Sequence, residues 1–483
     1  MSNADQRHIV VIGAGISGLA AAWRLHDRWP DAAITVLEGQ PEVGGKLRGG
    51  QIAGVQVDLG AESLLARRPE ALALIREVGL AEHIVHPNKV SASIYSRGEM
   101  HQLPPRTLMG VPSDPATLKG LLNDSELQRV EQEAEHLQTD PRGDDISIGD
   151  FVSQRLGRAV VDRLIEPLLG GVYAGHADNI STSAALPPLA VAYRDGESVL
   201  AVAARAMPSL QATDQPVPPV FAGLTGGINT LALRLTEKLT EAGVEVQRNV
   251  TAREMSQRAD GRFEITTGPV PDPSTLIADD VVVAVPPPAA ARLLGRVAPE
   301  AAFHLGAIEM ASMAIVTLAF PAEALAGVPS SGFLVPPAEG LRIKAATYSV
   351  HKWEWVAAAG HGRGDDGSDV AIMRVSLGRH REVGALQRSD AEIVEMALID
   401  LQRVRGEALP EPIDAVVTRW GGGLPQYAVG HLERIKTVRA SIALVPGLAI
   451  CGAVMEGVGI PACIASATRA VSELPASPVR MEP

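Results

Sequence analysis

The chain has almost no cysteine: Cys451 and Cys463 are the only two in 483 residues. That excludes a disulfide framework and any cysteine-rich zinc or iron–sulfur site. No C-x-x-C occurs either, which argues against a dithiol reductase. The twelve histidines include no H-E-x-x-H or comparable spacing, so no metal is expected. Basic charge is in short supply: 43 Lys and Arg against 56 Asp and Glu leave a net charge of −13. A nucleic-acid binder needs a basic face, so that class is set aside. Only seven of the 43 are Lys. The Arg excess suits carboxylate or phosphate recognition, but a GC-rich coding bias produces the same count. Long apolar runs are missing. The longest uncharged stretch, Gln215 to Leu233, holds three Pro and three Gly, and Ala440 to Met455 is broken by Pro446–Gly447. Neither suits a membrane-spanning helix. The polar start, Met1 to Arg7, lacks the form of a signal peptide. The expectation is a cytoplasmic protein, with peripheral membrane contact left open.

Hydrophobic residues make up 46% and charged residues 20%, as in a folded globular chain. The length suggests two to three domains at roughly 150 residues each. His8–Gly13 reads HIVVIG, a continuous apolar run typical of a buried parallel strand. A helix is expected from Ile16 to Trp29 and a second strand over Ile34–Glu38, forming one βαβ unit. Gln51 to Leu59 reads as a hairpin and Ala71–Val78 as a helix. Pro115 to Asp140 is charged and helical. A second helical block runs from Ile148, capped by Ser147, to a stop at Gly170–Gly171. Ala184 to Pro219 carries no clear assignment. Gly227–Ala242 reads as a helix, and Val244–Gln247 and Val281–Val285 as strands. Met310–Phe320 and Ala371–Leu377 look like strands of a different sheet. Ala391–Arg405, capped by Asp390 or Ser389, and Pro461–Glu473 read as helices, and Leu444–Cys451 as a strand.

The segment Gly13-Ala14-Gly15-Ile16-Ser17-Gly18 matches G-x-G-x-x-G between a strand and a helix, and Glu38 ends the next strand. Gly13 allows the tight turn, Gly15 lets a pyrophosphate approach the helix N-terminus, and Gly18 lets helix and sheet pack closely. Glu38 suits ribose hydroxyls and would repel a 2′-phosphate. The motif alone does not separate FAD from NAD.

Gly44-Gly45-Lys46 and Asp58-Leu59-Gly60-Ala61-Glu62-Ser63 follow. With these, the chain resembles the FAD-dependent amine oxidase and protoporphyrinogen oxidase superfamily. The resemblance implies FAD as cofactor. It implies that Gly45 and Lys46 cover the pyrophosphate, and that Gly60, Ala61, Glu62 and Ser63 lie against the flavin ring. Phe221 to Ile228 and Asp280 to Pro286 look like the bounds of the family's second cofactor piece. Gly39 is carried over as a cofactor contact, and Val250 falls at the position whose backbone meets the adenine. Cys451-Gly-Ala-Val-Met-Glu-Gly-Val-Gly-Ile-Pro461 resembles the C-terminal flavin signature. That carries Gly452, Val458, Gly459 and Ile460 over as cofactor contacts, with a helix N-terminus aimed at the flavin. Trp420 is expected against the flavin or the substrate. Cys451 and Cys463 are expected to be buried and inert, with no covalent flavin link.

Within the superfamily the chain looks most like bacterial porphyrinogen oxidases of the Gram-positive type. The carrying segments are Gly60 to Pro69, Glu166 to Gly175, Lys344 to Thr347 with Lys352–Trp353, and Arg419–Trp420 with Leu424 to His431. This resemblance implies a six-electron oxidation of coproporphyrinogen III to coproporphyrin III in haem biosynthesis, with dioxygen reduced to peroxide. The other branch would act on protoporphyrinogen IX. More distant alternatives are an amine oxidase, a carotenoid desaturase or a non-catalytic FAD-binding protein. Arg67, Arg68, Lys344 and Lys352 are candidates to anchor propionates, and Tyr427 to pack on the macrocycle. The catalytic proton acceptor stays unassigned. Transient contact with the next haem-pathway enzyme is left open.

The expected architecture is an α/β fold. A Rossmann-like FAD-binding domain of the p-hydroxybenzoate hydroxylase and amine oxidase type is drawn from 1–88, 219–290 and 414–483. A mixed-sheet substrate domain comes from 89–100, 195–218 and 291–413, and a helical domain, with a membrane-facing role left open, from 101–194.

Overall fold

The computed structural model describes residues 6–137, 143–207 and 219–480. After half-buried His8, the strand His8–Ile12 is apolar from Ile9 to Ile12 because both of its faces are buried. Ile9 and Val11 pack with the helices Ile16–Arg28, Asn229–Glu241 and Ile460–Glu473. Val10 and Ile12 pack on the opposite side. There they meet the antiparallel strands Ala252–Gln257, Phe263–Thr267 and Ser274–Ala278 and the helices Pro287–Leu294, Pro299–Gly306 and His431–Ala443. Alternation along a strand sends successive side chains to opposite faces, so a doubly covered sheet needs uninterrupted hydrophobicity. The sheet is all-parallel. Its order is Glu245–Gln247, Ala33–Leu37, His8–Ile12, Asp280–Val283, Leu448–Ile450. Segments from three distant parts of the chain therefore complete one α/β layer, as expected for a Rossmann-like fold.

A second, mixed sheet has seven strands. They lie in the order Asp414–Pro425, Met310–Pro321, Val370–Leu377, Ile343–Tyr348, Gly332–Leu334, Ser93–Ser96, Glu99–Gln102. The helix Asp390–Arg405 covers one face through Ile393, Ala397, Leu401 and Val404. Ser389 caps it in a capping box with Glu392. Val316, Leu318, Met373 and Val375 point into that core. By alternation, the paired residues Thr317 and Arg374 point to the other face.

Several expectations need correction. The helical block does not stop at Gly170–Gly171: the helix Glu166–Tyr173 runs through both and ends at Ala174, whose φ is +49°. The break comes earlier, at Gly157, φ +92°. The charged stretch after Pro115 is one helix, Asp124–Glu131, flanked by one-turn helices. Its last expected residues, from 138, lie outside the described residues. The strand expected from Leu444 is only Leu448–Ile450, because the unanticipated helix His431–Ala443 runs almost up to it. Pairing places Asp414–Pro425 in the mixed sheet, not with the cofactor pieces. The helices Pro287–Leu294 and Pro299–Gly306 pack on the parallel sheet. Val199, Val202 and Ala203 extend the helical unit's core past residue 194. Residues 208–218, assigned to the substrate domain, lie outside the described residues. Among the described residues no helix is long and apolar enough to cross a membrane.

Candidate active site

The Gly13–Gly18 turn sits at the carboxyl end of the parallel sheet. Gly13 has φ +107°, and a Cβ there would lie 2.7 Å from the Ala284 carbonyl oxygen. A Cβ on Gly18 would collide with the Gly13 carbonyl. Gly15 differs: nothing lies within 4 Å of its would-be Cβ. The first two glycines answer to the protein's own packing, while Gly15 borders open space. Gly15 is also the N-cap of the helix Ile16–Arg28 and leaves that end without a side-chain cap. Uncapped N–H groups at a helix N-terminus make an anion site. Glu38 accepts the Ala14 N–H at 2.8 Å and the Gln40 N–H at 2.9 Å, holding the loop. Its carbonyl takes the Val250 N–H at 2.8 Å, which brings those two predicted residues together. Gly39 lies against Thr251. Gly44 donates to the Ala14 carbonyl at 2.7 Å, so the Gly44–Gly45–Lys46 turn folds onto Gly15. Burial pushes the Lys46 amine pKa down.

The C-terminal motif meets the same loop. The Cys451 thiol contacts the Ser17 carbonyl at 3.8 Å, and burial pushes its pKa up. Gly452 has φ +136° and open space beside it. The helix Ile460–Glu473 begins at Gly459 with no side-chain cap and no acid in its first turn. By contrast, the helix Asn229–Glu241 is closed off, because Asp58 accepts the N–H groups of Ile228 at 2.9 Å and Asn229 at 3.2 Å. Burial pushes the Asp58 pKa up to about 7, against the pull of those donors. Val458 packs against the helical unit's core.

Gly60 to Ser63 runs beside the Gly44–Lys46 turn. The Ala61 N–H donates to the Lys46 carbonyl at 2.9 Å. Trp420 stands 3.1 Å from where a Gly60 Cβ would be. The Glu62 carboxylate takes an ion pair from Lys352 and another from Arg374, and Arg374 also donates to the Gly60 carbonyl. Burial opposes ionisation of Glu62, but the two cations outweigh it and hold its pKa at about 2. Arg374 escaped the sequence reading. Its signal was a lone Arg in the apolar strand VAIMRVSL, a buried charge that needs a partner.

The substrate-side candidates separate. Lys352 is committed to Glu62, and Arg68 to Glu70 at 2.6 Å. Arg67 is exposed beside them. Lys344 is 3% exposed and its Nζ has no hydrogen-bond partner. Burial, then the nearby Arg379, push its pKa down to about 7. Tyr427 is 3% exposed; its hydroxyl donates to the Ala453 carbonyl and its ring stacks on His431 at 4.1 Å. His431 Nε2 meets the Val454 carbonyl at 3.0 Å, and burial lowers its pKa to about 4. In this arrangement the Tyr427 hydroxyl braces the 451–459 loop. Gly170 and Gly171 leave open space along the helix Glu166–Tyr173, with Val172 exposed beside them.

The profile of the flavin containing amine oxidoreductases matches residues 16–475. The chain belongs to that family. Its cofactor is FAD, and the open spaces at Gly15 and Gly452 and the two uncapped helix ends fit a pyrophosphate-bearing flavin. Within the family, the coproporphyrinogen III oxidase of Mycobacterium tuberculosis strain H37Rv is 37% identical over 97% of both chains. The Bacillus subtilis strain 168 coproporphyrinogen III oxidase is 31% identical over 97% of this chain and 98% of its own. A crystal structure from Exiguobacterium sp. 255-15, provisionally named a protoporphyrinogen oxidase, superposes with a TM-score of 0.82 at 31% identity. It covers 98% of each chain.

Proposed function

We propose that this chain is an FAD-dependent oxidase that converts coproporphyrinogen III to coproporphyrin III in haem biosynthesis. The carrying observation is the full-length match, at 36–37% identity, to mycobacterial chains named coproporphyrinogen III oxidase. FAD, when bound, would supply the two-electron acceptor, and the overall six-electron oxidation would consume three dioxygen and yield three hydrogen peroxide.

The chain's own residues bind and orient. The N-termini of the helices Ile16–Arg28 and Ile460–Glu473 face the cofactor's negative charge. Glu38 and Val250 would hold the adenosine side, and Gly60 to Ser63 would back the ring. The open space beside buried Gly170 and exposed Gly171 suits a flat macrocycle. Lys344, beside Arg379, and exposed Arg67 are the cations left for propionates. The same reading puts the chain in the cytoplasm. It makes the helical unit the face for a membrane or for the enzyme that takes the porphyrin onward.

A second reading, protoporphyrinogen IX, is favoured by the Macaca fascicularis protoporphyrinogen oxidase, 28% identical over 96% of this chain. That substrate carries two propionates in place of four. Anaerobic flavin reduction by each porphyrinogen, followed by aerobic turnover with porphyrin fluorescence and peroxide read together, tests both. Faster turnover of coproporphyrinogen III is expected. Preference for protoporphyrinogen IX moves the chain to the second reading. Bound flavin that neither substrate reduces removes both.

A further inference from the structure

The segment from Asp58 to Glu62 is clamped at both ends by parts of the chain far away in sequence. Asp58 is tied to the start of the helix Asn229–Glu241. Between the clamps, the Leu59 N–H donates to the Arg48 carbonyl at 2.8 Å and the Ala61 N–H to the Lys46 carbonyl at 2.9 Å. Glu62 is tied to the mixed sheet by two cations. Lys352 comes from the short helix Ser349–Lys352, and its ammonium lies 5.3 Å from the centre of the buried Trp353 ring. Arg374 comes from the strand Val370–Leu377. It spends one guanidinium nitrogen on the Glu62 carboxylate and another on the Gly60 carbonyl.

The side chains in this cluster are 19%, 13% and 9% exposed for Lys352, Glu62 and Arg374. Charge-assisted bonds between groups so far removed from water are directional and hard to break. A carboxylate held by two cations, one of which also holds the carbonyl two residues earlier, leaves this backbone little freedom. The same backbone forms the wall between the Gly44–Lys46 turn and Trp420. The mixed sheet thus sets where the cofactor-facing backbone stands.

We propose that Lys352 and Arg374 are positioning residues, which lock the Gly60–Glu62 backbone against the flavin by way of the Glu62 carboxylate. The role rests on the reading of the chain as a flavin-dependent porphyrinogen oxidase. It differs from propionate recognition, which would require the Lys352 ammonium to be free for substrate. A displaced reactive geometry costs rate more than it costs binding: about 1 Å of misplacement is worth on the order of a hundredfold.

The test uses the FAD-loaded enzyme and the variants Lys352→Met, Lys352→Arg, Arg374→Met and Arg374→Lys. Thermal melts establish which variants fold. Visible absorption and circular dichroism of the bound flavin, and its midpoint potential by chemical titration, are read without any porphyrinogen. kcat and KM are then measured with coproporphyrinogen III and protoporphyrinogen IX. Lys352→Met should change the flavin's visible spectrum or potential and cut kcat about ten- to a hundredfold. The ratio of the two substrates' KM values should stay unchanged, and Lys352→Arg should restore most of the loss. If Arg374→Met does not fold, Arg374→Lys, which keeps the charge but offers one donor nitrogen in place of the fork that spans Glu62 and Gly60, should show the same flavin change. A selective rise in KM for coproporphyrinogen III, with an unaltered flavin spectrum and kcat, overturns the proposal and makes Lys352 a propionate anchor. Folded variants identical to the parent in every measure also overturn it. A parent enzyme that neither porphyrinogen reduces defeats the functional reading alone, because the flavin spectra still report the positioning.

Discussion

At the scale of single residues, two glycines in one motif separate what the fold needs from what the cofactor needs. A methyl on Gly18 would run into the Gly13 backbone, whereas one on Gly15 would enter open space. Gly18→Ala should therefore lower stability by about 1–3 kcal/mol. Gly15→Ala should leave the stability of the flavin-free protein within about 0.5 kcal/mol of the parent's while flavin retention falls. Melting curves and the flavin-to-protein absorbance ratio read the two effects separately. Lys344 gives a second prediction. Its ordinary pKa is 10.5 and its folded value is about 7. Between those values the unfolded chain holds a proton that the folded chain lacks, so stability rises with pH across that window. Below pH 7 the burial penalty is fully present. Lys344→Met should melt above the parent at pH 6, and the gap should narrow towards pH 10.5. If Lys344 anchors a propionate, the same variant also raises KM for coproporphyrinogen III.

At the scale of elements, the helix Glu166–Tyr173 is informative because it carries Gly170 and Gly171 in its interior. Each costs about 0.8–1 kcal/mol relative to Ala in a helix, and no neighbouring atom requires either one. Gly171→Leu should hold or raise the melting temperature and raise KM for the porphyrinogen at least tenfold, measured by steady-state fluorescence. A smaller change would place the macrocycle elsewhere. The same pair misled the sequence reading, which took the glycines as a stop. Glycine in a helix marks either an ending or a space kept clear, and local sequence does not distinguish the two. The strands were easier to read. After their first residues, HIVVI and DVVV are apolar because both faces are covered. The helix His431–Ala443 was missed because it starts from Gly430 with no side-chain cap to announce it. The cofactor loops were readable as motifs because their glycines answer to local geometry. The Glu62 ion pairs were not, because their partners lie some 290 and 312 residues away.

At the scale of the whole molecule, the cofactor cradle takes residues from both ends of the chain. Binding energy at such a site is shared with folding. Free FAD at about a hundred times its dissociation constant should stabilise the flavin-free protein by about 2.7 kcal/mol. A chain cut before Leu448 lacks the edge strand Leu448–Ile450 and the helix Ile460–Glu473, and should show no such shift in a melt with and without FAD.

The central strand His8–Ile12 pairs on one side with Ala33–Leu37, made almost at once, and on the other with Asp280–Val283. That second partner leaves the ribosome about 270 residues later. At roughly 5–20 residues per second the wait is on the order of tens of seconds. Throughout it, one edge of a five-residue strand that is apolar from Ile9 to Ile12 stands open. The nascent chain is therefore a natural client for a chaperone, and its yield in a cell should depend on elongation rate far more than the finished enzyme's stability would suggest.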